Sequence, residues 1–384
     1  QQGLIFMRFF QFLLLISLSL CLQAASAGTP IPSPPGFKSS GFVLMDHTTG
    51  NIILEKNPDE PLEPASLTKI MTAYLAYNEI RQGRLSMDDE VLVSEKAWKI
   101  GGSRMFIEVN KQVKIDDLLH GLVIQSGNDA AVALAEHIGG TEDGFAELMN
   151  QQARELGMTK TNFVNATGWP AEGHTTTARD LAILTRAMIK NFPELYQLNS
   201  IKEFTFNDIK QYNRNKLLWR DKTVDGVKTG HTEAAGFCLV ASALRDDMRL
   251  ISVVLGTPSE KARADASAKL LNFGFRFYET RALYKPGQEL TKARIWKAEK
   301  PNISLGIGEE VVVTIPRGDY KLMKAELEFN DKIAAPVTAG TEMGKVVISL
   351  EGNTIATRPL VALETVNEGS IWVRMVDSLR LMAE

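Results

Sequence analysis

Three strand-like runs crowd into residues 224–256, and they narrow the folds open to this chain. "V-D-G-V-K-T-G", "F-C-L-V-A-S-A-L" and "R-L-I-S-V-V-L-G" follow one another with short connections, the last two joined by "R-D-D-M". Such connections suit antiparallel neighbours, so a meander is expected. The stretch Glu260–Tyr278 then reads as helix. Upstream, Gly41–Asp46 and Asn51–Glu55 flank "H-T-T-G", a hairpin signal. Three helical regions stand between the hairpin and the meander. The first opens at "P-A-S-L-T-K-I-M-T-A-Y-L", residues 64–75, with Pro64 near its first turn. The second, Ile115–His137, carries the stripe Leu118, Leu119, Leu122 and Val123 and is interrupted by "S-G-N-D". The third, Thr177–Lys190, offers threonine N-caps and an early aspartate. Together these runs predict an α+β domain, with helices packed around one antiparallel sheet.

After about residue 279 the texture changes. "E-V-V-V-T-I-P", "K-A-E-L-E-F-N", "K-V-V-I-S-L-E-G-N" and "R-P-L-V-A-L-E-T-V" are short β-rich runs separated by turn residues. They predict a small all-β domain, a sandwich, over 279–369. The 384 residues favour two domains, and 44% hydrophobic with 23% charged residues suits a folded, soluble body. A net charge of −3 gives no electrostatic case for nucleic-acid binding.

Residues 1–27 read as a signal peptide. Arg8 precedes the apolar run Phe9 to Leu22, and "A-A-S-A-G" supplies small residues for cleavage after Ala27. Met7 looks like a natural start, and a membrane anchor is the alternative. Leu20 stands before Cys21 where a lipoprotein signal wants a small residue. Export is therefore expected. Only Cys238 would remain after cleavage, too few for an internal disulfide.

Ser66 and Lys69 lie three apart, so both project from one helix face. S-x-x-K alone is a weak signal, and so is Ser126-Gly127-Asn128 between two helical stretches. Lys228-Thr229-Gly230 falls on the first strand of the meander. In that order the set resembles the motifs of penicillin-binding proteins and serine β-lactamases. Within that group the chain resembles the low-molecular-mass D-alanyl-D-alanine carboxypeptidases. The likeness rests on "P-A-S-L-T-K", "Q-S-G-N-D-A", Thr177-Ala178-Arg179-Asp180, Arg214 to Trp219, Val224 to Thr232 and Gly274 to Thr280.

The resemblance implies a β-lactamase/transpeptidase-like catalytic domain over 28–278. It also implies removal of the terminal D-alanine from peptidoglycan stem pentapeptides through an acyl-enzyme on Ser66, in cell-wall remodelling. β-Lactams would acylate the same serine. Lys69 is the expected base, because serine is a poor nucleophile until its proton is taken. Lysine can do so only when neutral, and burial near other cations favours that form. Lys228 would depress Lys69 and hold Ser126 and the substrate carboxylate. Ser126 would relay a proton to the leaving amine, and Asn128 would hold the substrate amide and orient Lys69. Substrate is expected along the edge strand from Lys228 to His231, with Gly230 clearing a path for its backbone. The resemblance further implies an oxyanion hole from the N–H groups of Ser66 and His231, with Thr229 and Arg263 facing the terminal carboxylate.

The five histidines, 47, 120, 137, 174 and 231, form no metal-binding spacing, so neither metal nor cofactor is expected. A β-lactamase is the leading alternative, but the class A E-x-x-L-N run is missing; the nearest stretch is Glu194 to Asn199. An endopeptidase and an inactive cell-wall scaffold are the others. In the tail 370–384, Ile371, Trp372, Met375, Val376, Leu379 and Met382 share one helical face. The resemblance implies an amphipathic helix lying peripherally on the outer, periplasmic face of the cytoplasmic membrane. A helix packed on the β-domain is the alternative.

Overall fold

The computed structural model describes residues 30–383, so the signal peptide expected over 1–27 lies outside the described residues. The chain divides into two compact units, one spanning Ser33–Thr280 and one built from Arg281 onward.

The first unit is α+β. Its sheet contains β1 (Gly41–Asp46), β2 (Ile52–Lys56), β3 (Val224–Thr232), β4 (Gly236–Arg245) and β5 (Met248–Thr257). The order is β2-β1-β5-β4-β3, every neighbouring pair is antiparallel, and β3 forms an edge. Strand alternation assigns the side chains to two cores. Val43, Val240, Ile251 and Val253 join a large cluster with the central helices. Their neighbours Leu44, Leu239, Ala241, Leu250 and Val254 join a second cluster on the opposite face, with Leu270 and Leu271. Both faces are covered, which is why β4 and β5 read as nearly continuous apolar runs. Each fully buried Val, Leu or Ile contributes roughly 1.5–3 kcal/mol relative to exposure.

Five longer helices frame this sheet: α1 (Lys69–Arg81), α2 (Asn128–Gly139), α3 (Glu142–Leu156), α4 (Ala178–Asn191) and α5 (Glu260–Phe277). Every residue of α1 from Lys69 to Tyr77 is buried, so α1 is the interior helix of the unit. Side-chain caps start three of the others. Thr141 accepts from Gly144 N, Thr177 from Asp180 N and Ser259 from Ala262 N. α3 buries a narrow apolar face, Phe145, Ala146, Met149 and Ala153, with Leu156 packed beside it.

The second unit is β-rich. Its six-stranded sheet runs in the order Met323–Phe329, Glu342–Leu350, Asn353–Ala362, Asn302–Ile307, Glu289–Trp296, Ile333–Ala334. Ile303, Leu305, Val346, Ile348 and Leu360 form its core. The chain ends in α6 (Ile371–Ala383).

Candidate active site

Pro64 leads into a 3-10 turn, Ala65–Thr68, and α1 starts only at Lys69. Ser66 therefore sits in the turn before the α-helix rather than in its first turn. Ala65 holds φ at +47°, a left-handed conformation unusual for a side chain with a Cβ. Gly168, at φ +83°, packs against this turn so closely that a Cβ there would stand 1.7 Å from Ala65 O. Thr68 Oγ1 donates to Ala65 O at 2.9 Å and lies 2.9 Å from His174 Nε2. Burial lowers the pKa of His174 to about 4, so this imidazole is neutral at pH 7.

Lys69 is 1% exposed. Its Nζ lies 3.2 Å from Ser66 Oγ, 2.7 Å from Asn128 Oδ1 and 2.6 Å from Thr167 O. Asn128 Nδ2 donates to Gly101 O at 2.7 Å, which turns the amide oxygen toward Lys69. Ser126 follows a π-helical turn, Gly121–Gln125, and adopts a left-handed conformation with φ at +66°. Asp129, two residues into α2, accepts from the backbone N–H groups of Met105, Phe106 and Ile107 at 3.0, 2.8 and 3.3 Å. It ties the 105–107 loop to the start of the helix that carries Asn128.

The edge strand β3 brings the third motif. Lys228 is buried, and its Nζ donates to Ser126 Oγ at 2.8 Å and to Thr229 O at 2.9 Å. Two bonded sets, Ser66–Lys69–Asn128 and Ser126–Lys228, thus meet through the electrostatic interaction of the two lysines, and the cluster draws on one turn, two helix starts and a strand. Thr229 is buried beside it. Gly230 has a packing reason of its own. A Cβ there would meet Pro64 O at 3.1 Å and Leu67 Cγ at 3.2 Å, so the missing side chain lets β3 pack on the turn that holds Ser66. His231 is exposed and its ring stacks on Phe237 with centroids 3.9 Å apart. Arg263, expected to face a substrate carboxylate, is buried and donates to Gly230 O at 3.0 Å. Its guanidinium also lies 5.6 Å from the Phe237 ring centroid.

Burial sets the electrostatics. It lowers the pKa of Lys69 to about 7, against the pull of Asp129 and Glu142 in the other direction. Lys228 is held well below its ordinary value, first by burial and then by Lys69, Arg263 and Arg214. A neutral amine has two N–H donors and one lone pair. Asn128 Oδ1 and Thr167 O can accept both hydrogens of Lys69, leaving the lone pair for the hydroxyl of Ser66.

Sequence reasoning missed Asn165, Thr167, Gly168, Asp129 and Glu142. The turn-like "N-A-T-G-W" was the available signal for the first three. Among the described residues, no group of three or more His, Cys, Asp or Glu side chains is arranged to hold a metal ion.

A family model described as D-alanyl-D-alanine carboxypeptidase matches residues 29–259, and one for the penicillin-binding protein 5 C-terminal domain matches residues 278–368. D-alanyl-D-alanine carboxypeptidase DacC of Escherichia coli (strain K12) is 42% identical over 368 residues, covering 94% of this chain and 92% of that one. The crystal structure of penicillin binding protein 5 from Haemophilus influenzae matches with a TM-score of 0.84 and 42% identity, covering 88% of this chain and 100% of that one. Penicillin-binding protein D2 from Listeria monocytogenes, solved in its ampicillin-bound form, matches with a TM-score of 0.59 and 30% identity, covering 64% of this chain and 100% of its own. The family match to most of the first unit, joined to near-full-length identity of about two residues in five, leads to one conclusion: the chain belongs to the D-alanyl-D-alanine carboxypeptidase family of serine peptidases.

Proposed function

We propose that this chain removes the last D-alanine from peptidoglycan stem peptides through an acyl-enzyme on Ser66. The observation that carries the reading is the environment of Lys69. Its amine is buried, two carbonyl oxygens lie at 2.7 and 2.6 Å, and Ser66 Oγ lies at 3.2 Å. In the acylation step Ser66 Oγ attacks the penultimate carbonyl carbon while its proton passes to Lys69 Nζ. The peptide C–N bond then breaks, and Ser126 Oγ gives its proton to the departing amine. Lys228, 2.8 Å from Ser126 Oγ, makes up that proton or stabilises the oxygen left behind. The proton on Lys69 returns to the Ser126–Lys228 pair, water attacks the ester carbonyl as its own proton passes to the neutral Lys69, and the ester C–O bond breaks with that proton going to Ser66 Oγ, which releases the shortened peptide acid. The edge position of β3 supports binding of the substrate as an added strand along Lys228–His231, with the N–H groups of Ser66 and His231 as oxyanion donors.

The same serine is proposed to take β-lactams; the ampicillin-bound form of the Listeria relative supports this. Export to the periplasmic side and peripheral attachment through α6 complete the reading. In α6 the apolar residues face outward: Trp372 is 73% exposed, Leu379 65% and Met382 84%. The polar residue Asp377 instead turns inward and accepts from Lys297 N at 2.7 Å. A helix docked by its polar side with an apolar face turned to solvent suits a lipid surface better than a protein core. Among the described residues no helix is long and apolar enough to cross a membrane.

The test follows D-alanine release from a stem pentapeptide and penicillin hydrolysis with one enzyme preparation. D-alanine should appear together with the tetrapeptide, and penicillin should turn over much more slowly. Rapid, repeated penicillin hydrolysis without D-alanine release would instead make the chain a β-lactamase. Cleavage of a crosslinked dimer alone would make it an endopeptidase.

A further inference from the structure

The segment from Asn165 to Trp169 meets the Lys69 amine and the backbone that carries Ser66, and one side chain shapes it. Asn165 Oδ1 accepts from Thr167 N at 3.1 Å, Thr167 Oγ1 at 3.0 Å and Gly168 N at 2.8 Å. Its Nδ2 donates to Trp169 O at 2.9 Å. The turn so formed directs Thr167 O onto Lys69 Nζ and sets Gly168 against the peptide between Ala65 and Ser66. Beyond it, the Trp169 ring lies 3.4 Å from where a Cβ on Gly101 would stand, and Gly101 O receives the Asn128 amide. Asn165 itself touches neither Ser66 nor Lys69 in any hydrogen bond of the site.

We propose that Asn165 is a positioning residue for Lys69: it fixes the Thr167 carbonyl on Nζ and closes the pocket from water, so that the amine's lone pair stays directed at Ser66. The inference rests on the reading of Lys69 as the base. Other charged or titratable groups facing Lys69 are Asp129 on α2, Glu142 on α3, Lys228 on β3 and, beside Thr68, His174. Glu142 is itself paired with Lys96 at 2.7 Å and accepts from Ala166 N. All of these remain when Asn165 is replaced. A change in the titration of Lys69 then reports on the loop. Losing the turn lets water replace Thr167 O as acceptor, and hydration favours the ammonium.

The experiment measures the rate of acylation by benzylpenicillin between pH 5 and 10 for the full chain. In Asn165→Ala the acid limb should move up by about one pH unit, so the rate at pH 6 falls about tenfold further than the rate at pH 9. Asn165→Ser, whose hydroxyl makes the same kind of turn more weakly, should lie between Ala and wild type. Circular dichroism checks folding, and if the Ala variant does not fold, the smaller upward shift of the Ser variant carries the test. A folded variant whose acid limb coincides with wild type overturns the proposal. Lys69→Ala is assayed alongside. Wild-type acylation there would sink the base assignment; no acylation there with unmoved Asn165 variants sinks the positioning role alone.

Discussion

A lysine with 1% exposure and, among the described residues, no carboxylate bonded to its amine is the residue on which the site turns. Burying an ammonium costs several kcal/mol unless the group loses its proton, and a folded-state value of about 7 reflects that cost. The ordinary value is ~10.4. Since the folded value is depressed, the unfolded chain holds a proton between about pH 7 and ~10.4 that the folded chain has released. The Lys69 contribution to stability therefore rises with pH across that window, and below it the buried charge opposes folding in full. With Lys69 as the proposed base, catalysis follows the same titration, because only a neutral amine can accept the Ser66 proton. The rate of acylation by a penicillin should rise about tenfold per pH unit up to pH 7 and level off above, provided no other group limits it. Stopped-flow acylation across pH 5–9 checks this, and a rate that falls from pH 6 to 8 contradicts it. Ser66, Lys69, Ser126, Asn128 and Lys228 were legible in the sequence because the proposed chemistry lies in their side chains, which keep a recognisable order. Thr167 was not, because it acts through its carbonyl, which every residue possesses. Gly168 was hidden for a related reason: its role is to leave room for Ala65 O, a contact made across a hundred residues of chain.

Elements were legible where period and burial agree. The meander of β3, β4 and β5 follows from three apolar runs with short connections, and α4 from its threonine cap. Two elements depart from pattern for physical reasons. The first turn ahead of α1 is 3-10, which the spacing of Ser66 and Lys69 alone does not reveal. α6 is amphipathic in sequence, yet its apolar face is the exposed one, with Asp377 turned inward to Lys297 N. If that face meets lipid, deleting residues from Ser370 onward should release the protein from vesicles of anionic and zwitterionic phospholipid. Activity on a soluble peptide should stay within about twofold, since every residue of the cluster lies before Thr232. Flotation of both forms with the vesicles reads the first effect. Equal flotation of the two would leave α6 as a packing helix only.

At the scale of the whole molecule, composition gave the existence of two folded parts but not their division of labour. The site cluster belongs entirely to the unit Ser33–Thr280, with its own two cores, and the β-rich unit has a separate one. The proposed chemistry therefore belongs to the first unit: a turn, two helix starts and an edge strand, set beside its cores. The proposed reaction depends on Ser66 forming a covalent bond. The most direct measurement is mass spectrometric peptide mapping after brief exposure to benzylpenicillin, for wild type and Ser66→Ala. The account predicts one penicilloyl adduct, on the peptide that contains Ser66, and none in the variant. An adduct on another residue, or one formed at wild-type rate in Ser66→Ala, would contradict it.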